Sequence, residues 1–285
     1  MKSILKTVFL IVITGLISSC AEKDYVITIS TRYGDMKVIL FDETPGHKET
    51  FLEMAKSGAY DNTVFHRVMQ GFMIQGGDVN RKPGINEPVN TLIPPEFRRN
   101  LIHTKGMLAG ARTGDNVNPE KKSGTQFYIV QGRKYPKSEL QQINEDFYYN
   151  LLVSRLNQLF QQGKHRNILD KLMELQKAND NEGVKKIMYE SLSVIESEFG
   201  KIPKKTYTEQ QYAAYETVGG APHLDWEYTV FGQVVEGSEV IDAIARQPVN
   251  GTSQPLEDIY ITVTVEELPK KKITELYGFA YPEKK

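Results

Sequence analysis

Residues 65–78 read FHRVMQGFMIQGGD and combine side chains that rarely share one surface. If this run is extended, its two-residue period places Arg67, Met73 and Gln75 on the same side. A guanidinium, a thioether and an amide do not suit a uniformly apolar core, and methionine beside phenylalanine does not suit a solvated surface. The run therefore predicts a groove that contacts both apolar and polar parts of a ligand.

Most other kinds of catalytic site have no support in the sequence. The five histidines form no HxH or HExxH pair, so we expect neither a zinc site nor a cofactor. His66 and His103 are predicted to be structural hydrogen-bonding residues. GxSxG, GxxxxGKS/T and GxGxxG are all missing, which excludes a nucleophile elbow and the common phosphate loops. The net charge of −1 argues against nucleic acid as a partner.

The N-terminal segment, residues 1–19, has the layout of a secretory signal peptide. Lys2 and Lys6 form a positive start, and residues 8–17 form an apolar run that is too short for a comfortable membrane span. The small residues Ser18 and Ser19 follow. This order predicts export from the cytoplasm and removal of the segment.

Cys20 is the only cysteine of the chain and stands directly after the predicted signal peptide. A cysteine nucleophile in the folded part is therefore excluded. Residues 17–20, ISSC, resemble the lipobox of bacterial lipoproteins, which implies lipid attachment at Cys20 and a short tether over residues 20–24. The resemblance implies a membrane-held protein of the bacterial cell envelope that faces outside the cytoplasm. Plain secretion with cleavage nearby is the alternative.

Short alternating segments predict a mainly β fold. Residues 25–31 and 36–40 alternate between apolar and polar side chains on either side of Gly34, which predicts a hairpin. Residues 47–56 predict a short helix, and residues 259–265 a final strand. Together with a second short helix near Val240, these segments predict a closed antiparallel barrel of about eight strands capped by two helices.

Residues 133–217 differ from the rest of the chain in being rich in Leu, Gln, Glu and Lys at helical spacing. We predict one helix ending at Gly163, another over residues 184–199, and a third that begins with a capping box at Thr208 and Gln211. This α-helical insertion would divide a discontinuous domain of residues 25–132 and 218–268. It is either a structural decoration or an arm that binds clients. The tail, residues 269–285, has no predicted structure.

Four motifs resemble those of the cyclophilins, the peptidyl-prolyl cis/trans isomerases of that name. The first is the FHR-x-x-x-GFM-x-QGGD pattern of residues 65–78. The others are GMLAGAR at 106–112, SGTQFY at 123–128, and HLD at 223–225 followed by YTVFG at 228–232. The resemblance covers about residues 25–132 and 219–268, and it implies the cyclophilin-like barrel and isomerase activity.

The resemblance also implies roles for individual residues. Arg67 takes the position of the catalytic arginine, which would stabilise the twisted prolyl amide against a planar bond whose rotation barrier is ~18–20 kcal/mol. The remaining positions are those of the proline pocket (Phe72, Met73, Tyr128 and Leu224), the peptide groove (Gln75, Ala111, Arg112 and Gln126) and the rim (His223 and Tyr228). Implied partners are proline-containing peptides and unfolded client proteins, in particular exported ones.

Two departures from the family pattern affect the predicted specificity. Tyr128 stands where many members have phenylalanine and adds a hydroxyl to the pocket wall. His223 stands where eukaryotic members often have the tryptophan linked to cyclosporin binding, so we expect weak cyclosporin binding. A peptide-binding scaffold or chaperone with little catalysis is the alternative function. In more ordinary readings, Arg67 is a surface ion-pair partner, Phe72 and Met73 are core residues, and His223 is a rim residue without function.

Overall fold

Nine strands form one antiparallel sheet in the order β3-β9-β1-β2-β8-β6-β7-β5-β4. The structure is a computed structural model that describes residues 22–82, 89–115 and 117–282. The predicted signal peptide and Cys20 lie outside these residues. The strands are β1 Lys23–Thr31, β2 Gly34–Leu40, β3 Thr63–Val64, β4 Arg67–Met69, β5 Met73–Gly76, β6 Met107–Gly110, β7 Phe127–Val130, β8 Val230–Glu236 and β9 Tyr260–Pro269.

The predicted hairpin is confirmed, with β1 and β2 in register from Val26 opposite Ile39 to Thr31 opposite Gly34. Gly34 has a φ of +122°, which favours glycine. β1 begins at Lys23 and pairs along its other edge with β9. The last two residues of the predicted tether, 23 and 24, therefore belong to the sheet.

The sheet curls, and its two end strands follow each other in the chain. β3 and β4 are separated only by Phe65 and His66, and β3 pairs with β9 while β4 pairs with β5. The mainly β prediction is confirmed, with nine strands among the described residues instead of about eight. The ladders between described residues leave β3 and β4 as separate ends of the sheet, so a closed barrel stays a prediction.

Two helices, α1 Pro45–Lys56 and α7 Ser238–Ala245, pack on the main core, as the sequence predicts. Each buries an apolar stripe, which includes Phe51 and Leu52 in α1 and Ile241 and Ile244 in α7. Against them lie buried residues from the strands, among them Ile27, Ile29, Val38, Leu108, Phe127 and Ile129. This core supports the strands that carry the candidate site.

The insertion contains five helices instead of the three predicted: α2 Lys137–Gln161, α3 Arg166–Lys177, α4 Asn181–Glu190, α5 Leu192–Phe199 and α6 Glu209–Thr217. The predicted helix over 184–199 is wrong as one element, because α4 ends and α5 begins at Ser191. The capping box of Thr208 and Gln211 is confirmed at α6. The insertion has its own core, in which Leu152, Leu156 and Ile195 are completely or almost completely buried.

The insertion joins the sheet where its two ends meet. Arg133 and Gly220 exchange backbone hydrogen bonds of 2.9 and 3.2 Å. A side chain at Gly132 would collide with the backbone of Gly220, so the chains approach closely there. A separate cluster that includes Ile102, Tyr207 and Tyr215 fills the space beside this junction. The insertion is therefore tied to the residues that lead into the candidate site.

The C-terminal tail, which the sequence left without a prediction, forms helix α8 Lys270–Tyr277. Ile273 is fully buried against Val26 and Ile39, on the sheet. Lys270 donates to Asp42 at 2.9 Å and lies 3.7 Å from the carboxylate of Glu22. Across residues 22–82, 89–115 and 117–282, no helix has the length and apolar character needed to span a membrane.

Candidate active site

Arg67 and Gln75 face each other across a hairpin, because β4 and β5 pair with Arg67 opposite Gln75 and Met69 opposite Met73. Gly71, with a φ of +77°, lies in the turn between the two strands. The prediction of one continuous strand is therefore wrong. Its consequence is still correct, since Arg67, Met73 and Gln75 all line one pocket.

A chain of hydrogen bonds orients the guanidinium of Arg67. Arg67 Nη1 donates to Gln75 Oε1 at 3.2 Å, and Gln75 Nε2 donates to Gln126 Oε1 at 3.0 Å. Arg67 Nη2 lies 3.0 Å from the sulfur of Met69, a weak acceptor. A guanidinium has five donors, so this arrangement leaves donors for a ligand. Among the described residues Arg67 contacts the neutral groups of Gln75 and Met69 and makes no ion pair, which disfavours the ordinary reading of a surface ion-pair partner.

Nine of the eleven predicted catalytic and binding residues line one pocket with an empty volume of about 360 Å³: Arg67, Phe72, Met73, Gln75, Ala111, Arg112, Tyr128, Leu224 and Tyr228. The other two touch it indirectly. Gln126 is hydrogen-bonded to Gln75, and the exposed ring of His223 lies 5.0 Å from the ring of Phe72. The motifs therefore meet at one place although they are up to about 160 positions apart in the chain.

The walls of the pocket differ in polarity. Met73, Tyr128 and Leu224 are buried and belong to one apolar cluster, while Phe72 is only half buried against it. The other wall of the pocket is charged: the guanidinium of Arg112 lies 4.3 Å from the centre of the Tyr228 ring. Arg112 Nε also donates to the carbonyl of Glu227 at 3.0 Å. The pocket thus has an apolar floor and a rim fixed by a cation–π contact.

A wider groove of about 1110 Å³ continues from the pocket. Gln75, Ala111 and Arg112 line both spaces, and Gln126 lines the groove, so the residues predicted for the peptide groove lie where the two spaces join. The walls further out combine polar side chains such as Asn80 with apolar ones such as Leu92. An extended peptide could therefore follow the groove while one side chain fills the pocket.

The hydroxyl of Tyr128 is turned away from the ligand space into a buried network. It lies 3.0 Å from His103 Nε2, and His103 Nδ1 lies 2.8 Å from Asp225 Oδ1. Because the carboxylate accepts the proton of Nδ1, the other ring nitrogen accepts the proton of the tyrosine. Burial raises the pKa of Tyr128 well above its usual value, so the hydroxyl stays a donor. The expected structural role of His103 fits this geometry.

Asp225 connects this network to the insertion. Its Oδ2 accepts hydrogen bonds from the hydroxyls of Tyr207 and Tyr215, both at 2.6 Å. Its Oδ1 also accepts from the backbone N–H of His103 at 2.7 Å. Sequence reasoning assigned no role to Tyr207 and Tyr215, although Asp225 stands in the HLD motif beside Leu224. The position of Asp225 next to a pocket residue is the signal in the sequence that could indicate its role.

The sequence matches the family model described as cyclophilin type peptidyl-prolyl cis-trans isomerase/CLD. The matched residues are 26–146 and 140–266, which overlap within α2 and together span most of the chain, including the insertion. All eleven predicted catalytic and binding residues lie within these limits. The match therefore covers the whole of the candidate site.

Similar proteins agree with this result. A proposed peptidyl-prolyl cis-trans isomerase of Staphylococcus aureus (strain COL) is 29% identical over 244 residues, which cover 85% of this chain and 91% of that protein. A proposed bifunctional phosphatase/peptidyl-prolyl cis-trans isomerase of Streptococcus pyogenes serotype M6 is 31% identical over 239 residues. That alignment covers 82% of this chain but spans only 37% of the streptococcal protein.

The fold is also found among solved structures. The crystal structure of a cyclophilin type peptidyl-prolyl cis-trans isomerase of Cryptosporidium parvum has a TM-score of 0.50 with this chain at 20% identity. The superposition covers 86% of this chain and 98% of the other. The structural likeness concerns the fold, and the match to the family model over most of the sequence shows the family: the chain belongs to the cyclophilin-type peptidyl-prolyl cis-trans isomerases, a family of enzymes.

Proposed function

We propose that this protein accelerates prolyl isomerisation in exported proteins, with Arg67 stabilising the twisted amide. Rotation about the prolyl bond pyramidalises the nitrogen and restores its lone pair, which then accepts a hydrogen bond. A guanidinium at that point binds the twisted state better than either planar isomer, and this difference lowers the barrier. The reaction needs no proton transfer and no covalent step.

The observation that carries the proposal is the hydrogen-bond chain from Arg67 through Gln75 to Gln126 at the edge of the pocket. It fixes the guanidinium beside the apolar floor that would hold the pyrrolidine ring. Because Gln126 Oε1 accepts a hydrogen bond from Gln75, the Nε2 group of Gln126 remains as a donor for a ligand. That group is suited to a peptide carbonyl in the groove.

A protease-coupled assay on a proline-containing peptide tests the proposal. We expect Arg67→Ala to lower kcat/KM about 10²-fold, the usual scale for loss of one donor to a transition state. Arg246→Ala, an exposed arginine at the end of α7, is the matched control and should match the wild type. Equal, background-level rates for wild type and Arg67→Ala would instead favour the alternative function.

That alternative is a peptide-binding scaffold or chaperone that keeps the groove and catalyses little. It predicts that proline peptides bind the wild type with unchanged affinity while the isomerisation rate stays at background. Isothermal titration of the same peptide separates binding from turnover. The orientation of Arg67 by two side chains favours catalysis, since a scaffold has no need of a directed guanidinium.

We also propose lipid attachment at Cys20, which would hold the enzyme at a membrane of the bacterial cell envelope, facing outside the cytoplasm and close to unfolded exported clients. The ISSC sequence at residues 17–20 supports this proposal. Growth with labelled palmitate should label the wild type and leave Cys20→Ser unlabelled. If both proteins stay unlabelled and appear in the soluble envelope fraction, plain secretion is correct.

Weak cyclosporin binding is expected from His223, whose exposed ring lies beside Phe72 on the rim. An imidazole offers less apolar area to a macrocycle than an indole does. Inhibition of the isomerase assay by cyclosporin should therefore strengthen in His223→Trp while the uninhibited rate stays similar. Equal inhibition of both proteins would show that another part of the rim sets the affinity.

A further inference from the structure

A second cavity, of about 620 Å³, lies where the insertion meets the segment that follows Asp225. No family motif assigns a function to it. Its lining includes three aromatic rings and three cationic side chains: Phe97, Phe147, Trp226, Arg99, Lys204 and Lys205. The cavity thus combines apolar walls with an excess of positive charge.

Lys205 is the unusual member of this lining. Its side chain is buried, with 7% of the residue exposed, and its Nζ has no hydrogen-bond partner among the described residues. The ammonium lies 3.8 Å from the centre of the Phe147 ring and 6.0 Å from that of Trp226. A buried ammonium normally has an acceptor, because its desolvation is costly. The missing acceptor points to a ligand.

Trp226 presents a second donor that is buried without a hydrogen-bond partner. Its Nε1 is buried and unpaired among the described residues, and its φ of +60° is uncommon for a large side chain. The indole contacts Tyr207 and Arg99: its ring centre lies 5.3 Å from that of Tyr207 and 5.2 Å from the guanidinium carbon of Arg99. These contacts keep the indole at the cavity although the backbone conformation of Trp226 is unfavourable.

The anions nearby do not neutralise the cavity. Glu227 supplies the one carboxylate among the described lining residues, and it forms an ion pair with Lys121, which lies outside the lining. A neighbouring cavity shares Arg99 and Lys204 and adds Lys201 and Glu196, so the two linings together carry four cationic side chains and two carboxylates. Positive charge therefore extends along the junction with the insertion, and an anionic ligand is favoured over a neutral one.

We propose that this cavity binds a peptide segment that carries a carboxylate beside an aromatic or aliphatic side chain. Lys205 Nζ and Trp226 Nε1 are covered by neighbouring atoms, so both side chains would rotate to donate hydrogen bonds to the carboxylate. The apolar side chain would pack on Phe97 and Phe147. A bare inorganic anion would satisfy the donors and leave the aromatic walls unused.

The cavity and the proline pocket share one short segment of chain. Leu224 and Tyr228 line the pocket, while Trp226 and Glu227 line the cavity. A client protein could therefore occupy both sites at once. The proposal goes beyond the isomerase reaction, and its test uses probes without proline, so failure of one leaves the other intact.

Trp226 is the only tryptophan of the chain, and its fluorescence reports directly on the cavity. The probes are acetyl-Ala-Ala-Phe with a free carboxylate and the same peptide as an amide. The free carboxylate should bind the wild type about tenfold more tightly, the scale expected for hydrogen bonds to a charged group. A second pair, acetyl-Ala-Glu-Phe-amide and acetyl-Ala-Gln-Phe-amide, shows whether an acidic side chain serves as well as a C-terminal carboxylate.

Lys205→Met should remove the preference for the carboxylate, whereas Lys185→Met, a change of the same kind at an exposed lysine of the insertion, should keep it. Circular dichroism of both variants checks that they fold. Equal affinity for carboxylate and amide in the wild type overturns the proposal, as does an unchanged preference in Lys205→Met. So does equal binding of inorganic phosphate, or a Trp226 response to phosphatidylglycerol vesicles that exceeds the response to the peptides.

Discussion

Two polar clusters lie on either side of Tyr128 and differ in how completely they are satisfied. The Arg67 cluster is half buried, and its side-chain hydrogen bonds to Gln75 and Gln126 are 3.2 and 3.0 Å long. The Asp225 cluster is buried, and the carboxylate accepts four hydrogen bonds of 2.6 to 2.8 Å.

The difference shows that the fold uses one cluster to bind a ligand and the other to hold the pocket residues in place. The Arg67 cluster keeps unused donors at an open pocket, whereas the Asp225 cluster uses its oxygens within the protein. Tyr128 belongs to both, because its ring lines the pocket and its hydroxyl joins His103. The first cluster should therefore respond to mutation in activity and the second in stability.

Removing the carboxylate should give the largest loss of stability. Asp225→Ala leaves His103, Tyr207 and Tyr215 without their common acceptor in a dry interior, and we expect a loss of about 3–5 kcal/mol, the range for breaking a buried charged network. Urea denaturation measures it. Asp225→Asn keeps two acceptor positions on its amide oxygen and should cost less. A loss below about 1 kcal/mol in the alanine variant would contradict the supporting role.

Lys205→Met tests the opposite case, a buried charge without a partner. Burial lowers the pKa of Lys205 from its ordinary 10.5 to about 8, against the attraction of Glu227 and Asp225 and together with the repulsion of Lys121. Each unit of pKa difference is worth about 1.4 kcal/mol, so the protonated lysine destabilises the fold by on the order of 3 kcal/mol at pH 7. The methionine variant should be more stable by up to that amount.

The stability difference between wild type and Lys205→Met should depend on pH. Between pH 8 and 10.5 the unfolded state binds more protons at Lys205 than the folded state does, so wild-type stability rises with pH across that window. The advantage of Lys205→Met should be complete below about pH 8 and disappear near pH 10.5. Thermal unfolding of both proteins over this range measures the difference. A constant difference would show that packing, and not charge, separates them.

Tyr128→Phe removes only the hydroxyl that links the two clusters. His103 Nε2 loses its partner, and we expect a cost of about 1 kcal/mol, because one buried acceptor is left unpaired. The isomerase rate should change little, since the ring remains in the pocket wall. Tyr149→Phe, where no hydroxyl hydrogen bond is formed with a described residue, is the control. A large loss of activity with unchanged stability would place the hydroxyl in the reaction.

The smallest effect is expected at an exposed pair. Lys164 and Glu198 are 2.6 Å apart, the same distance as the tyrosine hydroxyls from Asp225, but both side chains are largely solvated. Solvated ion pairs contribute about 0.2–1 kcal/mol at most. Lys164→Gln should therefore shift the urea midpoint only slightly. A loss comparable with that of Asp225→Ala would show that burial does not explain the contrast.

The Arg67 cluster could be predicted from the sequence because its members lie in contiguous motifs with fixed spacing. The hairpin could not be seen in the same way, since a single strand and a tight turn at Gly71 place residues 67, 73 and 75 on one side equally well. Hydrophobic periodicity likewise found the insertion but not the break at Ser191. It also missed helix α3, although Leu172 is buried in the core of the insertion and Ile168 and Leu175 pack against that core.

The Asp225 cluster could not be predicted at all. His103 is 122 positions from Asp225, and Tyr207 and Tyr215 come from a part of the chain outside the four motifs. No local spacing indicates that these groups share a carboxylate, because only the closure of the insertion at Gly132 and Gly220 brings them together. The unpaired state of Lys205 is also a property of packing alone.

The position of β1 in the sheet has a consequence for the time order of folding. β1 pairs with its sequence neighbour β2 on one edge and with β9, more than 200 residues later, on the other. A chain emerging N-terminus first would keep that second edge unpaired until residues 260–269 arrive. Such distant pairing slows folding, and an open edge can associate with other chains. Refolding should therefore be slow and sensitive to protein concentration.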